Sequence, residues 1–290
     1  MGGAPVTAPH VTTLRVATWN LWWRFGDPDR RRPAIAAELR DTDADLVGLQ
    51  EVWSRGDRHL AAELADELGR HVAFVAVPDP SFWTDRLGDD SFGLGNAVLS
   101  RWPLRDVRAE VLPTGGGPEA QILLSVVADT PAGSLRLVTT HLTPALTDSA
   151  RRVAQVRALA RHVVDAEPTD LPPVVTGDFN AEPDSDEMRL LEGHLTAPAE
   201  PGLLLADAWR WATPPARDDG ATWRSDNPYV AARGDPPSRV DRVLLGLGRG
   251  RVPVGVESVG LLGTRGRPGP DGEVWPSDHA GVVVDLRAGT

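Results

Sequence analysis

The chain has 290 residues, 41% of them apolar and 24% charged, with a formal net charge of −11. These proportions point away from disordered and membrane-spanning classes, and no run approaches eighteen consecutive apolar residues. Cysteine and lysine are both absent, all 30 basic residues being arginine, which excludes disulfides, thiolate ligands, cysteine nucleophiles and Schiff-base or phosphate-loop lysines.

The acidic balance opposes nonspecific attraction to nucleic acid or an anionic membrane, unless an arginine groove or bound cations override it. Met1 to His10 shows no basic segment followed by an apolar one, so a cytoplasmic protein is expected; a monomer without stable membrane insertion is expected as well. Residues 1–11 are expected to be a flexible N-terminus ahead of one domain over 12–288.

Leu14 to Leu21 alternates and predicts a strand, followed by an Arg/Pro/Asp loop through Arg32. A helix is predicted from about Pro33 to Arg40, with the proline in its first turn. Leu46 to Glu51 reads as a buried strand, and Arg58 to Leu68 as a helix from the spacing of Leu60, Ala61, Leu64 and Leu68. Strands follow at Val72 to Val77, Gly95 to Ser100, Ile122 to Ala128 and Leu135 to His141. Thr147 and Asp148 can cap a helix through about Val164, whose apolar face uses Val153, Val156, Leu159, Ala160 and Val163. Its other face carries Arg151, Arg152, Arg157 and Arg161, read as solvated. Then come a strand ending at Asp178, a short helix near Asp184 to Leu191 and a Trp-rich patch. The last strands are Val240 to Leu245, Val252 to Leu261 and Gly281 to Leu286. No Pro/Gly linker splits the chain, so segments 78–94, 212–238 and 262–277 are read as loops shaping a cleft.

Apolar runs in this chain repeatedly stop at a polar residue: Asn20, Glu51, Asn96, His141, Asp178, Asn180, Asp241 and the pair Asp278-His279. One such residue is ordinarily a turn former, but so many at strand ends point to a shared centre. Alternation along Pro173 to Asn180 sends Asp178 and Asn180 out of the strand end on the same side. Phosphate-ester hydrolysis needs a cation for the phosphoryl oxygens, a group to activate water, and donors for the developing charge. Glu51, with Asp278 and carboxamide help from Asn20, suits a hard oxygen-preferring cation, Mg²⁺ or Mn²⁺. His279 can take the proton from water if a carboxylate holds its other nitrogen, and Asp241 is the candidate. His141 then remains as a donor to a phosphoryl oxygen or an acid for the leaving group.

With these residues in view, the chain resembles the endonuclease/exonuclease/phosphatase superfamily of deoxyribonuclease I-like fold. The matching pieces are Thr18-Trp19-Asn20, Leu49-Gln50-Glu51, Gly95 to Arg101, Thr140-His141-Leu142, Gly177 to Asn180, Val240 to Val243, and Ser277-Asp278-His279. They follow the family's order across residues 14–286. The resemblance implies a four-layer α/β sandwich, two mainly antiparallel sheets face to face with helices outside, and a cleft at the strand ends. By position it implies Glu51 as the main metal ligand, with Asn20 and Asp278 completing or supporting the site. It implies Asp178 and Asn180 as groups orienting the water and the phosphate, His279 with Asp241 as the base pair, and His141 as the second catalytic histidine. Some DNA-repair members use a tyrosine near the Asn96 run. The single tyrosine here, Tyr229, lies elsewhere, which sides the chain with the two-histidine branches of nucleases, sphingomyelinases and phosphatases. The deoxyribonuclease branch supports its second histidine with a carboxylate near that run, and Gly95-Asn96 offers none.

Trp22, Trp23, Trp83, Trp209, Trp211, Trp223 and Trp275 lie in or beside predicted loops, where they either stack on substrate or pack the loops. Arg24, Arg30, Arg31 and Arg32 either grip a second phosphate or open a solvated helix. Asn96, Arg24 and Trp22 are the candidate substrate contacts. The expected activity is cation-dependent hydrolysis of a phosphodiester, in nucleic acid or a phospholipid head group. A phosphomonoesterase acting on a small phosphorylated metabolite or phosphoinositide is the alternative. A catalytically silent binding module is the third reading, disfavoured by the completeness of the residue set.

Overall fold

The computed structural model describes residues 11–117, 119–270 and 272–289. Its elements begin with β1 (Val11–Asn20), α1 (Pro28–Thr42), β2 (Leu46–Arg55), β3 (Arg58–His59), α2 (Leu60–Leu68), β4 (His71–Ala76) and α3 (Ser81–Leu87). Next are β5 (Gly93–Ser100), β6 (Leu104–Val111), β7 (Ile122–Thr130), β8 (Gly133–His141), α4 (Ser149–Asp165), β9 (Val174–Asp178) and α5 (Asp186–Glu192). The chain continues with β10 (Leu205–Asp207), α6 (Ala208–Trp211), α7 (Pro228–Ala231), β11 (Asp241–Gly246) and β12 (Val254–Leu262). It closes with β13 (Arg267–Gly269), β14 (Gly272–Val274) and β15 (Gly281–Gly289).

Two sheets form the body. One runs β12-β15-β1-β2-β5-β4 with β3 attached to β2, and the other runs β10-β11-β9-β8-β7-β6. Each holds one parallel pair, β1 with β2 and β8 with β9, crossed by α1 and α4 respectively; the other pairs are antiparallel. A parallel pair requires such a crossover, and the crossover helix covers the sheet's outer face. The sheets meet through Val16, Val98 and Val284 of the first and Leu124, Leu137, Val174 and Val243 of the second, all buried. Outside, α1 and α2 pack on Val47 and Leu49, while α4 and α5 pack on Val138, Val175 and Leu244. This is the expected four-layer α/β sandwich. Among the described residues no helix is long and apolar enough to cross a membrane.

A polar layer crosses between the sheets just beneath the strand ends. Gln50 Nε2 donates to Thr18 Oγ1 at 3.1 Å and to Thr139 Oγ1 at 2.8 Å. Gly48 permits the approach, since a Cβ there would lie 2.3 Å from Thr176 Oγ1 and 2.6 Å from Thr139 Oγ1.

Several boundaries differ from the sequence reading. Helix α1 begins at Pro28, capped by Asp27, whose side chain accepts from Arg30 N–H at 3.2 Å, so Pro33 lies inside the helix instead of opening it. The predicted helix at Arg58 starts only at Leu60, because Arg58 and His59 pair with Arg55 and Ser54. Strand β6 was hidden by its mostly exposed, charged sequence at the sheet edge. The presumed loops contain α3, α7 and the β13–β14 hairpin. On α4, Arg152 is buried, not solvated, and its Nε donates to Glu187 Oε1 at 2.9 Å. Val11 pairs with Gly289, so strand order reaches one residue into the predicted N-terminal tail. Residues 1–10 of that tail lie outside the described residues.

Candidate active site

Three site residues stand in one row across the second sheet. His141 is in register with Asp178 on the parallel neighbour β9, and Asp178 with Asp241 on the antiparallel neighbour β11. Gly177 makes the row possible. Its φ of 152° and the 2.1 Å between a built Cβ and Thr140 O leave no room for a side chain. Beyond the strand, Asp178 Oδ1 accepts from Asn180 N–H at 2.9 Å, and Asn180 Nδ2 donates to Leu142 O at 2.9 Å. Asn180 takes a left-handed φ of 47° to close this turn, a conformation asparagine tolerates.

The first sheet supplies the facing edge. Pairing of β2 with β5 slips between Leu49 and Val52, and Glu51 within that bulge has φ 53°. A bulge re-aims the side chain it carries, and Glu51 is 7% exposed at the cleft. Asn20 ends β1 beside it. Its Nδ2 donates to Glu51 Oε1 and to Asp178 Oδ2, both at 3.0 Å, while its Oδ1 accepts from Trp22 N–H at 2.9 Å. The carboxamide thus bridges the two sheets' carboxylates.

The Ser277-Asp278-His279 segment is locked from several sides. Ser277 Oγ donates to Asn20 O at 2.7 Å, and Trp19 Nε1 donates to His279 O at 2.9 Å. Asn227 Nδ2 donates to Ser277 O at 2.9 Å and Asp278 O at 3.2 Å. Thr222 Oγ1 accepts from Val240 and Asp241 N–H at 3.2 and 3.1 Å, and Thr222 O accepts from Ala280 N–H at 2.9 Å. Trp223 meets the His279 ring edge-on at 4.9 Å between centroids. Sequence reading missed Thr222 and Asn227, which sit in an irregular stretch without a strand-end signature.

The pieces converge on Asp178 Oδ2, which lies 3.7 Å from Nε2 of both His141 and His279. His141 Nε2 is also 4.0 Å from Glu51 Oε1. His279 Nδ1 bonds Asp241 Oδ2 at 2.9 Å. Burial works against a charged His279, but Asp241, Asp178 and Asp278 outweigh it and raise the imidazole well above its usual 6.5. Burial pushes Asp241 up, opposed by His279. Burial also pushes Asp278 up to about 7, with His279 opposing and Glu51 reinforcing the shift. Outside the Gly95-Asn96 run, Glu119 is a buried carboxylate, 3% exposed, that accepts from Gln121 Nε2 at 2.7 Å. Burial raises Glu119 to about 7 while the charge of His141 pulls it down.

Two features fit a metal. Asp178, Asp241 and His279 form a candidate metal cluster, their ligand atoms all within 4.8 Å of one another. Glu51 Oε2 is buried without a hydrogen-bond partner, as is Asp241 Oδ1. Buried carboxylate oxygens of this kind call for a cation or donor.

The candidate substrate contacts fall differently. Asn96 is 3% exposed and its Nδ2 donates to Ile122 O at 3.0 Å, tying the two sheets together. Arg24 lies over Phe92 at 4.3 Å and Trp53 at 5.7 Å. Trp22, half-buried with φ 58°, packs on Tyr229 at 4.4 Å between centroids. Trp23 and Trp83 are buried in an aromatic cluster with Phe92, and Trp83 lies 6.5 Å from the His141 ring. Trp209 and Trp275 line a separate 690 Å³ groove that none of the convergent side chains borders.

Solved structures share this architecture. D. rerio TDP2 complexed with single strand DNA product is 19% identical, covers 95% of this chain and 99% of its own, and superposes with a TM-score of 0.68. The human Nocturnin catalytic domain with bound sulfate is 20% identical over 97% of both chains, with a TM-score of 0.67. An endonuclease/exonuclease/phosphatase from Beutenbergia cavernae DSM 12333 is 24% identical over 96% of this chain and 72% of its own, at 0.67. No curated protein matches the sequence. The sequence model of the Endonuclease/Exonuclease/phosphatase family matches residues 17–279, a span that begins in β1 and ends on the site histidine. The chain therefore belongs to the endonuclease/exonuclease/phosphatase family, metal-dependent hydrolases of phosphate esters.

Proposed function

We propose that this chain is a phosphodiesterase in which His279, held by Asp241, takes a proton from the attacking water. One observation carries the reading. Both histidine Nε2 atoms stand 3.7 Å from the same oxygen of Asp178, while His279 Nδ1 is committed to Asp241 at 2.9 Å. Cleavage of a phosphate ester expels a poor alkoxide leaving group and gains from separate base and acid groups, which two imidazoles on one carboxylate supply; a structurally similar protein holding a single strand DNA product favours the diester over the monoester.

Glu51 and Asp278 would hold Mg²⁺ or Mn²⁺, which when bound neutralises phosphoryl oxygens. The choice of this corner over the Asp178, Asp241 and His279 cluster follows from hydrogen bonding. His279 Nδ1 and Asp241 Oδ2 are committed to each other, and although Asp241 Oδ1 is unpartnered like Glu51 Oε2, Glu51 makes no such bond to a histidine. Asn20 keeps Glu51 and Asp178 apart and oriented through its bridging amide. Asp178 aligns the water through Oδ2 and fixes the Asn180 turn through Oδ1. Asn180 uses one amide hydrogen on Leu142 O, leaving the other for phosphate. His141 donates to a phosphoryl oxygen or protonates the leaving oxygen. Arg24 and Trp22, in the stretch after Asn20, and Asn96 are the proposed substrate contacts.

Nucleic acid is the first substrate to test, because a structurally similar protein was captured with a single strand DNA product. The experiment compares plasmid DNA, single-stranded RNA, sphingomyelin, bis-p-nitrophenyl phosphate and p-nitrophenyl phosphate, each with Mg²⁺, Mn²⁺ or chelator. Cation-dependent turnover of diesters above the monoester is expected. Activity persisting under full chelation would remove the metal from the mechanism, and turnover of p-nitrophenyl phosphate alone would replace the diesterase reading with a monoesterase one.

A further inference from the structure

Arg31 is 1% exposed, yet among the described residues its guanidinium hydrogen-bonds no carboxylate and bonds only backbone carbonyls. Nη1 donates to Leu21 O and Pro276 O, both at 2.8 Å. Nη2 donates to Trp22 O at 3.1 Å and Trp23 O at 3.0 Å, and Nε to Phe25 O at 3.1 Å. Five N–H groups meet five acceptors, the full capacity of a guanidinium.

The identity of those carbonyls gives the arrangement its meaning. Four belong to the turn that follows Asn20, and the fifth immediately precedes Ser277-Asp278-His279. That turn is unusual, with Trp22 and Trp23 at φ 58° and 37°, and left-handed non-glycine residues persist only where their surroundings hold them. The Trp22 ring covers the guanidinium at 5.0 Å. The acidic groups that act on Arg31 at longer range include Asp278 and Glu51.

We propose that Arg31 is a positioning residue for the metal-binding acids, clamping the Asn20 turn to the segment that carries Asp278 so that cation affinity depends on its fork of donors. The inference rests on the Glu51–Asp278 metal reading above. A lysine has the charge but not the planar five-donor fork, and it cannot satisfy carbonyls spread over both segments.

The test is Mn²⁺ binding, measured by electron paramagnetic resonance on the intact protein without substrate, for wild type, Arg31→Lys and Arg31→Gln. Loss of supporting contacts around a metal site weakens affinity by about ten- to a hundredfold, and that loss is expected in both variants. With saturating Mn²⁺ the Arg31→Lys variant should recover much of its kcat, with KM for substrate little changed. Unchanged affinity in a folded Arg31→Lys protein would overturn the proposal. Tighter binding by Arg31→Gln would also overturn it, because it would mean that only the charge of Arg31 matters. If both variants unfold and Mn²⁺ does not stabilise either, the role is structural and the proposal fails. Absence of Mn²⁺ binding by the wild type would instead overturn the metal reading itself, and the proposal with it.

Discussion

Asp178 Oδ2 and His279 Nε2 lie 3.7 Å apart across the junction of the two sheets, on the side of the imidazole opposite its 2.9 Å bond to Asp241. This geometry separates three jobs that substitution can test. His279→Ala and Asp178→Ala should each lower kcat by about a hundredfold or more, the size of effect expected for a lost base or aligning group. Asp241→Asn should depress kcat while leaving KM nearly unchanged, since it alters the imidazole's proton without touching substrate. Wild-type rates in any of these folded variants would remove that residue from its role.

Gly177 offers a test of the row itself. A methyl group there meets Thr140 O at 2.1 Å, and the φ of 152° disfavours any side chain. Gly177→Ala should destabilise the fold by about 2 kcal/mol, the scale of one strained backbone position, and should lower kcat further by separating His141 from Asp178. A melting temperature and rate equal to wild type would show that the β8–β9 register tolerates the methyl.

The site residues were legible because each adjoins a local apolar run: Glu51, His141 and Asp178 follow one, while Asp241 and His279 precede the apolar residues of β11 and β15, so all five could be found before any contact was known. Local pattern does not carry sequence-distant bonds. Thr222 and Asn227 act through backbone atoms 18 and 51 residues away, and nothing in an irregular stretch marks them. Arg31 looked like one of four clustered surface arginines, but the bond to Pro276 O spans 245 residues. Strand β6 was missed because an exposed edge strand lacks the apolar alternation that reveals a buried one. Glu119 lay outside the Gly95-Asn96 run where a supporting carboxylate was sought, and only the folded chain sets its charge against that of His141.

The titration of the metal-free protein follows from burial. Asp278 and Glu119 are both pushed up to about 7, from ordinary values of 3.8 and 4.5. The folded state therefore keeps protons that the unfolded chain has released, and stability falls with pH wherever that holds. His279 acts in the same direction. Its folded value lies well above 6.5, so its stabilisation is complete below 6.5 and is lost as pH rises through the folded value. Under chelation the melting temperature should fall between about pH 5 and about pH 8. Added Mg²⁺ should flatten the fall, because deprotonated acids bind it. A metal-free curve that rises with pH over this range would contradict the protonation of these groups.

Asn227 separates support of the Asp278 segment from direct catalysis. Its Nδ2 holds Ser277 O and Asp278 O, and its Oδ1 accepts from Tyr229 N–H at 3.0 Å. Asn227→Ala leaves buried carbonyls without a donor, which costs about 1–3 kcal/mol. Thermal melts should show that loss, together with a weaker apparent Mg²⁺ affinity that high Mg²⁺ corrects. A rate defect that high Mg²⁺ cannot correct would place Asn227 in the chemical step instead.

Arg24 tests how far substrate recognition extends beyond the reacting phosphate. Its guanidinium rests on Phe92, stands 3.8 Å from Asp29 as a loose ion pair with its side chain 20% exposed, and has a buried Nε without a partner. It lies four residues after Asn20, and its proposed role is to contact a phosphate next to the scissile one. Losing a charge-assisted hydrogen bond to such a phosphate costs about 1.5–3 kcal/mol, so Arg24→Ala should raise KM for a short oligonucleotide by about tenfold or more. Bis-p-nitrophenyl phosphate has no second phosphate, and its KM should stay near wild type. Equal KM increases on both substrates would mean that Arg24 acts by packing the Phe92 wall, and no change on either would leave it outside the binding site.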